Sequence, residues 1–390
     1  MRPRPAHLLA VLLMGASPAA AFETCVAGLE RDARARGVPA AVVEAAFAGV
    51  ERDERVLQFS TAQPEFVTPI WDYLAFLVDD ERIEDGRRML TEHRDLLARI
   101  EASFGVDRHV VLAIWGVESD YGRITGSFFI PHALSTLVCA GTRRQDFWRG
   151  ELMAALQLVA RGDVALDDLR GSWAGAFGQT QFIPSSYARL AVDFDGDGRR
   201  DLVRSIPDAL ASTANYLQRA GWQTGRPWMI EVKVPANYTG PQGRRDKVSL
   251  DTWSRRGVVR ADGAAIGGAA QAGLLLPAGP SGPGFLVFAN FDAIFSYNHA
   301  ESYALAIAHL ADRIAGYPAL RTPWPTDDPG LSRAERRLLQ ERLLAAGIDI
   351  GTVDGRIGPV TRAGIREAEA RFGLPVTGRP GRRILDALGG

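Results

Sequence analysis

The stretch Val110-Val-Leu-Ala-Ile-Trp-Gly-Val-Glu118-Ser-Asp-Tyr-Gly122 decides how the chain is interpreted. Nearly every position before Glu118 is apolar, which predicts a helix buried around most of its circumference. Gly122 is a typical helix stop, so Glu118 is expected in the last turn, near the negative end of the helix dipole and between apolar walls. Both surroundings disfavour a carboxylate and raise its pKa. A carboxyl group still protonated near neutral pH can donate a proton to a leaving oxygen.

On this segment alone an alternative stays open, in which Glu118 emerges from the helix end into solvent as an ordinary surface carboxylate. Asp120 follows two positions later and is expected on a different side of the helix. It is therefore not predicted to be a partner of Glu118.

A glycine-rich stretch, Gly171 to Tyr187, is the second candidate for a binding site. Its closely spaced glycines let the backbone approach a ligand, and Ser172 and Gln181 offer neutral hydrogen-bonding groups. The same pattern is typical of a tight packing turn, and both interpretations remain open.

Length and composition favour a globular protein of more than one domain. The chain has 390 residues, too many for one ordinary core. Its 46% hydrophobic and 23% charged residues are ordinary for a globular protein. A net charge of −1 creates no field that would attract nucleic acid or an anionic membrane.

The N-terminus has the pattern of a secretory signal peptide. Arg2 and Arg4 precede a short apolar run, Leu8 to Met14, and Pro18-Ala-Ala-Ala21 offers a small-residue cleavage site. The apolar run is too short to span a bilayer. We therefore expect residues 1–21 to be removed during export, and the remainder to be a soluble periplasmic protein without a transmembrane anchor.

Cys25 and Cys139 are the only cysteines. In an oxidising compartment they can form a disulfide, which would stabilise the fold by about 4–5 kcal/mol in the chain-entropy model because the closed loop is long. Two unpaired thiols are an equal alternative. The sequence has no Cys-X-X-Cys motif and no Cys/His cluster, so zinc and thiol redox chemistry are not expected.

Hydrophobic periodicity predicts a mainly helical α+β chain. Between about 226 and 290 the helical spacing gives way to other patterns: Met229 to Pro235 alternates with period two, and Phe285 to Asn290 is typical of a buried strand. A small β subdomain inserted into a helical body is therefore predicted. A Pro-rich linker at 319–330 leads to a module of three short helices at 331–390.

Taken together, the motifs are similar to those of lytic murein transglycosylases of the membrane-bound lytic transglycosylase B type. The matching segments occur in family order and are Gln63-Pro-Glu-Phe, Val117-Glu-Ser-Asp-Tyr-Gly122, Arg143-Arg144, Gly175 to Tyr187, the acidic loop at Asp193, and Ser296-Tyr-Asn298 with Tyr303. The resemblance implies a lysozyme-like catalytic body at 22–318.

The resemblance implies that Glu118 alone cleaves the MurNAc-β-1,4-GlcNAc bond of peptidoglycan. Glu118 would protonate the glycosidic oxygen and then accept the proton of the muramoyl 6-hydroxyl, which attacks the anomeric carbon and forms a 1,6-anhydro end. This scheme consumes no water and needs no catalytic cofactor, whereas a hydrolase would use a second carboxylate. No second acidic motif comparable with that of Glu118 is apparent in the sequence, which fits the scheme.

The resemblance also implies a set of substrate-binding residues. They are Ser172 near the muramoyl acetamide; Gln181, Asn298 and Tyr303 around Glu118; Arg143 and Arg144 on the saccharide; and Tyr73, Tyr216 and Tyr297 as aromatic walls of the groove. Phe147 stands where a groove tyrosine is expected, so a hydroxyl contact is missing there. For Tyr73 and Tyr216, packing in the core is an equal alternative.

The segment Asp193-Phe-Asp-Gly-Asp-Gly198 follows the start of an EF-hand calcium loop, with acidic residues at positions 1, 3 and 5 and a glycine at position 6. Position 12 is Arg204 instead of the usual glutamate. The predicted ligands are Asp193, Asp195 and Asp197, joined, as the resemblance implies, by the carbonyl of Arg199 and by Asp208. We expect a structural Ca²⁺ site; Na⁺, or a solvated acidic turn, is the alternative.

The C-terminal module resembles the peptidoglycan-binding domain found on many wall hydrolases. The resemblance rests on Leu338 to Gly347 and on Asp354-Gly-Arg-Ile-Gly-Pro-Val-Thr361. Glu367-Ala-Glu369 stands where members often have Phe-Gln. The expected partner is therefore the glycan strand of peptidoglycan, and the alternative is a spacer that only packs on the catalytic body.

Three other functions compete with a lytic transglycosylase. A lysozyme-like hydrolase would add water and depend on a second carboxylate. A non-catalytic scaffold would bind the wall and release no product. A general calcium-binding protein would explain the loop at Asp193 but would leave the segment around Glu118 without a role.

Overall fold

The computed structural model describes residues 18–61 and 63–389. Most of the predicted signal peptide lies outside the described residues, and Pro18 to Ala21 form the first turn of the first helix. Within the described part, no helix is both long enough and apolar enough to cross a membrane.

The described chain is mainly helical. The helices are α1 (Pro18–Ala35), α2 (Ala40–Phe47), α3 (Glu54–Thr61), α4 (Pro64–Val67), α5 (Ile70–Leu77), α6 (Asp80–Glu92), α7 (Arg94–Phe104), α8 (Arg108–Ser119), α9 (Ile130–Cys139), α10 (Gln145–Ala160), α11 (Pro184–Leu190), α12 (Ile206–Arg219), α13 (Leu250–Arg255), α14 (Ala289–Asn298), α15 (Glu301–Ile314), α16 (Arg333–Ala345), α17 (Pro359–Arg371) and α18 (Arg382–Ala387), with a 3-10 turn at Leu166–Asp168. The strands are β1 (Phe128–Phe129), β2 (Arg170–Gly171), β3 (Met229–Lys233), β4 (Gly243–Ser249), β5 (Val259–Arg260), β6 (Gln271–Leu275) and β7 (Gly284–Val287).

The chain divides into two compact units. The first comprises residues up to Ser60 with Ser127–Ala176 and Ile183–Ser185, and the second comprises Thr61–Gly126, Phe177–Phe182 and the chain from Ser186 onward. In the first unit, helices α1, α2, α9 and α10 pack together beside the two-residue ribbon of β1 and β2.

A disulfide crosses the first unit. It joins Cys25 in α1 to Cys139, the last residue of α9, with 5.7 Å between the two Cα atoms. Of the two alternatives that the sequence allowed, a disulfide or two free thiols, the structure has the disulfide. A bond across 114 positions of the chain restricts the unfolded state and so stabilises this helical packing.

The core of the second unit is built around α8. Residues Val110 to Gly116 are buried on every side, because α6, α7, α12 and α15 pack around this helix. Helix α15 contributes a second continuously apolar run, Ala304 to Ala308, which is also buried. Continuously apolar runs such as these two can be stable in water only when other elements cover them.

The inserted β region is a five-stranded antiparallel sheet with the strand order β4-β6-β7-β3-β5. In its centre Ile230 pairs with Leu286 and Leu274 also pairs with Leu286. The strand predicted at Phe285 to Asn290 is shorter than expected: β7 ends at Val287, and α14 starts at Ala289. Both β7 and the start of α14 are buried, so an apolar run could not separate the strand from the helix.

The C-terminal module has its own small core, formed by α16, α17 and α18. Buried Gln340 ties α16 to the turn before α17. Its amide nitrogen donates to the Asp354 carboxylate at 3.0 Å, and its amide oxygen accepts the backbone N–H of Asp354 at 3.0 Å. Buried Glu369 accepts the N–H of Thr377 at 2.6 Å and that of Gly378 at 2.7 Å. Glu369 therefore organises a turn of the module. The predicted fold class, a mainly helical α+β body with an inserted sheet and a three-helix module, is confirmed.

Candidate active site

Glu118 lies in the last turn of α8 and is half-buried. The helix ends differently from the sequence prediction. Asp120, with φ 53°, is the C-terminal cap, and Tyr121 and Gly122 follow with φ 58° and 84°. Three successive left-handed residues reverse the chain, and two of them carry side chains that disfavour this conformation. Gly122 is therefore the end of the reversal, and the helix has already stopped at Ser119.

The turn after Glu118 is held by hydrogen bonds to a neighbouring loop. Ser119 donates its hydroxyl proton to the carbonyl of Gln179 at 2.5 Å and accepts the N–H of Gly122 at 2.9 Å. The indole N–H of Trp115 donates to the side chain of Gln179 at 3.0 Å. The end of α8 and residues 177–182 of the glycine-rich stretch are thus one connected structure.

The carboxyl group of Glu118 accepts a hydrogen bond from the hydroxyl of Tyr303, which donates to Oε1 at 2.5 Å. Burial raises the pKa of Glu118 to about 7. The hydrogen bond from Tyr303 lowers this pKa, and the negative charge of Glu65 raises it. Removal from water outweighs the hydrogen bond, so near neutral pH the carboxyl group is present in both protonation states.

Tyr303, which binds this carboxyl group, belongs to a cluster of three tyrosines. The ring of Tyr297 stacks on that of Tyr303, with centroids 6.4 Å apart and planes 11° from parallel, and Tyr216 lies 4.8 Å from Tyr297. The hydroxyl of Tyr297 donates to the carbonyl of Thr180 at 2.7 Å, and that of Tyr216 donates to the carbonyl of Ser296 at 2.7 Å. The three tyrosines therefore form one fixed cluster.

Tyr73 is half-buried against the core of the second unit. Burial and the charges of Glu65 and Glu118 together raise its pKa. Tyr73 thus belongs to the surroundings of Glu118 while also packing on the core. For Tyr73, as for half-buried Tyr216, the two alternatives of the sequence analysis do not exclude each other.

Gln181 and Asn298 belong to the same unit as Glu118. Gln181 has a left-handed backbone, φ 50°, and its amide nitrogen donates to the carbonyls of Thr125 at 2.9 Å and Gly178 at 2.8 Å. Its side chain therefore holds the loop in shape. Asn298 is the last residue of α14 and is half-buried, five positions before Tyr303.

Ser172, Arg143 and Arg144 belong to the first unit. The hydroxyl oxygen of Ser172 accepts the N–H of Ala176 at 3.1 Å, which closes a tight turn. Arg143 is exposed, and the guanidinium of Arg144 lies 4.1 Å above the ring of Phe147. Phe147 thus supports an arginine by a cation–π contact at the position where a tyrosine was expected.

The acidic loop brings three carboxylates together. Oxygen atoms of Asp193, Asp195 and Asp197 lie within 4.8 Å of one another, and all three residues are exposed. Asp193 accepts the N–H groups of Gly196 at 2.7 Å and Gly198 at 2.9 Å. Backbone N–H groups therefore fix the loop in the shape that groups its carboxylates.

Asp208 is fully buried beneath this loop and is not part of the group of three carboxylates. It accepts the N–H of Phe194 at 2.7 Å and that of Asp201 at 2.9 Å. Burial raises its pKa, and these N–H groups oppose the rise. Arg199 donates its N–H to Asp197 at 2.8 Å. In this structure the role of Asp208 is to organise the loop from below.

Glu65 is a part of this site that the sequence alone does not reveal. Glu65 lies in α4, and its carbonyl accepts the hydroxyl of Ser302 at 2.6 Å, which ties α4 to α15 close to Tyr303. The segment Gln63-Pro-Glu-Phe resembles the family sequence, but no local pattern distinguishes Glu65 from any surface glutamate. Only the packing of two distant segments puts its charge near Glu118.

This fold and site define the class of protein. The family described as Transglycosylase SLT domain matches residues 21–312, and the peptidoglycan binding domain family matches residues 332–388. The chain therefore belongs to the transglycosylase SLT family and carries a C-terminal peptidoglycan-binding domain. Its resemblance to the membrane-bound lytic transglycosylase B type is confirmed by a curated relative of that name and by solved structures.

Membrane-bound lytic murein transglycosylase B of Escherichia coli (strain K12) is 35% identical over 250 residues, which are 62% of this chain and 66% of that protein, slightly less than two thirds of its length. The crystal structure of SltB3 from Pseudomonas aeruginosa in complex with NAG-anhNAM-pentapeptide is 43% identical, with a TM-score of 0.74 over 95% of this chain and 99% of that one. The Escherichia coli lytic transglycosylase Slt35 in complex with calcium is 28% identical, with a TM-score of 0.66 over 76% of this chain and 93% of that one.

Proposed function

We propose that this protein cleaves the MurNAc-β-1,4-GlcNAc bond of peptidoglycan glycan strands and leaves 1,6-anhydro-MurNAc ends, with Glu118 as the only acid and base. The observation that carries this proposal is the Glu118 carboxyl group, whose pKa burial raises to about 7 and which Tyr303 holds at 2.5 Å. A group with this pKa can give and take a proton at neutral pH with little cost in either direction.

The reaction then needs two proton transfers through one carboxyl group. Protonated Glu118 donates its proton to the glycosidic oxygen as the bond to the anomeric carbon breaks. The resulting carboxylate accepts the proton of the muramoyl 6-hydroxyl, whose oxygen attacks the anomeric carbon and closes the anhydro ring. Tyr303 donates to the carboxylate that exists between these steps and so stabilises it.

The glycan strand is expected to lie against three aromatic side chains. Tyr73, Tyr216 and Tyr297 offer flat apolar faces with polar tips, which suit sugar rings. The polar contacts that the family resemblance implies come from Gln181, Asn298, Ser172, Arg143 and Arg144. These substrate contacts remain predictions carried over from the family resemblance.

A lysozyme-like hydrolase is the second candidate, and Glu65 is the specific observation that favours testing it. The charge of Glu65 acts on Glu118, as a second carboxylate of a hydrolase would. The complex of SltB3 with an anhydro-muramoyl ligand and the family match support the lytic reaction instead.

A structural Ca²⁺ at the acidic loop is part of the proposal. The three exposed carboxylates within 4.8 Å of one another offer the hard oxygen ligands that Ca²⁺ prefers. Asp193, Asp195 and Asp197 would hold the ion, with the carbonyl of Arg199 and Asp208 as further predicted ligands. The ion would neutralise their mutual repulsion and stiffen the loop, and it takes no part in the bond cleavage proposed above.

We also propose that the protein works in the periplasm after removal of residues 1–21. The Cys25–Cys139 disulfide supports an oxidising compartment. The terminal module at 331–390 would tether the enzyme to the wall, which raises the effective concentration of substrate at the catalytic site.

The experiment is a digestion of purified peptidoglycan by the mature protein and by Glu118→Gln, with the released muropeptides weighed by mass spectrometry. The proposal expects products one water lighter than hydrolytic products, and none from the variant. Reducing-end products would show that the enzyme is a hydrolase, and Glu65 would then be the candidate for its second carboxylate. Wall binding without products from either protein would leave a non-catalytic scaffold.

A further inference from the structure

The C-terminal module reaches the end of the catalytic helix through one side chain. Arg333, the first residue of α16, donates to Oδ1 of Asp120 at 2.6 Å. The same guanidinium binds both carboxylate oxygens of Asp79, at 2.8 and 3.0 Å, and the backbone N–H of Arg333 also donates to Asp79 at 3.0 Å. The side chains of Arg333 and Asp79 are only 12% and 2% exposed, so this cluster is nearly closed to water.

Asp120 is the residue that makes the left-handed cap two positions after Glu118. A left-handed backbone is disfavoured for aspartate and more so for Tyr121, which follows it. Such a conformation persists only when its surroundings hold it. Arg333 binds Oδ1 of Asp120, and half-exposed Arg123 binds Oδ2 at 2.9 Å. Together these bonds fix the Asp120 side chain, and Arg333 supplies the less exposed of the two.

A second arginine completes the cluster from inside the catalytic body. Buried Arg82 donates to the carbonyl of Gly116 in α8 at 3.1 Å and lies 3.8 Å from Asp120. Asp79 accepts the N–H of Arg82 at 2.8 Å and so caps α6. The hydroxyl of Tyr121 donates to the carbonyl of Arg82 at 2.8 Å. Two arginines and two aspartates thus join α6, the turn after α8 and the terminal module.

We propose that Arg333 is a positioning residue for Glu118, so that the peptidoglycan-binding module takes part in turnover by fixing the turn after the catalytic helix as well as by binding the wall. This inference rests on the proposed role of Glu118. Arg333 touches neither Glu118 nor the tyrosine cluster. It acts through Asp120, and its loss lets the Glu118 carboxyl group move away from the hydroxyl of Tyr303.

Two other arginines of the module dock on the same body but not on this turn. Arg379 donates to Asp72 in α5 at 2.7 Å, and Arg337 pairs with Glu81 in α6. Both pairs hold the module in place without touching residues 118–122. They therefore separate the effect of docking in general from the effect of the contact to Asp120.

The experiment compares full-length Arg333→Ala, Arg337→Ala and Arg379→Ala on a soluble tetrasaccharide muropeptide. Such a substrate is short, so wall tethering has little influence on its KM. Arg333→Ala is expected to lose about tenfold to a hundredfold in kcat, since a small misplacement of a reacting group has effects of this size, with KM nearly unchanged. Arg337→Ala, which cuts an exposed pair, should stay within about twofold of the parent.

Hydrogen exchange gives a readout that does not depend on turnover. The amides of residues 120–122 should exchange faster in Arg333→Ala than in Arg337→Ala or Arg379→Ala. If Arg333→Ala does not fold, Asp120→Asn takes its place: it removes the charge at the other end of the bond, and asparagine tolerates the left-handed conformation. The same fall in kcat is expected from it.

Unchanged kcat in Arg333→Ala or in its replacement Asp120→Asn would overturn the inference, as would an equal fall in kcat in all three arginine variants. Glu118→Gln, measured in parallel, keeps the two proposals apart. Turnover retained by Glu118→Gln would overturn the proposed function itself. Loss of turnover in Glu118→Gln together with full turnover in Arg333→Ala would overturn only the role of Arg333.

Discussion

The hydroxyl of Tyr303 donates a hydrogen bond of 2.5 Å to Oε1 of Glu118, across 185 positions of the chain. Each residue comes from a helix that is buried over most of its length, α15 and α8, and these two helices pack directly on each other. The pair is therefore set by the rigid core of the second unit. The hydrogen bond that lowers the pKa of Glu118 is therefore supplied by a residue of this core.

Removal of the Tyr303 hydroxyl should move the pH dependence of the reaction upward. The hydrogen bond lowers the pKa of Glu118, so Tyr303→Phe is expected to raise that pKa above about 7 and to shift the alkaline limb of kcat to higher pH. The less stabilised carboxylate should also lower kcat, by about tenfold. Measurement of kcat against pH tests both effects. Tyr297→Phe, whose hydroxyl bonds to Thr180, should leave the position of the limb unchanged.

Neutralising Glu65 should have the opposite effect. Its negative charge raises the pKa of Glu118, so Glu65→Gln is expected to move the alkaline limb to lower pH. Products should remain one water lighter than hydrolytic products. The measurement is the same pH profile together with mass spectrometry of the products. Complete loss of turnover in this variant would instead assign Glu65 a direct role in the chemistry.

Glu118→Gln should be more stable than the parent protein at alkaline pH. The pKa of Glu118 is about 7 in the folded protein against 4.5 ordinarily, so ionisation between these values costs stability as the pH rises. The variant lacks this cost, and its advantage in free energy of unfolding should reach the order of 1–3 kcal/mol above about pH 7. Asp312, whose pKa burial also raises to about 7, is common to both proteins and cancels in the difference. Urea unfolding of both proteins at about pH 5 and pH 8 measures this difference in free energy of unfolding. An equal difference at both pH values would contradict a raised pKa for Glu118.

Calcium removal should destabilise the protein through the loop at Asp193. A chelator is expected to lower the melting temperature of the parent by several degrees, because an ion bound only by the folded state contributes about 1–3 kcal/mol at ordinary excess. The Asp193→Ala/Asp197→Ala double variant should not respond to the chelator. Thermal unfolding with and without chelator decides the matter, and an equal response of both proteins would remove the metal from the proposal.

Reduction of the disulfide should destabilise the first unit. In the chain-entropy model a bond that closes 114 residues contributes about 4–5 kcal/mol. Addition of a reductant should therefore lower the urea midpoint of the parent protein. Cys25→Ser/Cys139→Ser should have that lower midpoint and should not respond to the reductant. If the midpoint of the parent protein also fails to respond, the disulfide does not contribute to stability.

Local sequence pattern predicted the scaffold of the site well. The apolar run before Glu118 predicted a buried helix, and α8 is buried from Val110 to Gly116. The inserted sheet and the three-helix module were also predicted, from changes in the period of apolar residues along the sequence. This period differs between strands and helices because it follows the face of each element that is buried. Asp120 was expected to point away from Glu118, and it binds Arg333 and Arg123 instead.

The sequence by itself determined that a glutamate lies at the end of a buried helix, because the apolar residues of a helix predict which of its faces are buried. Tertiary structure alone decided what that glutamate can do. Its pKa depends on Tyr303 and Glu65, and the left-handed turn behind it depends on Arg333. These three residues lie between 53 and 215 positions from Glu118, and hydrogen bonds and charge effects act over a few ångströms of space, whatever the separation along the chain.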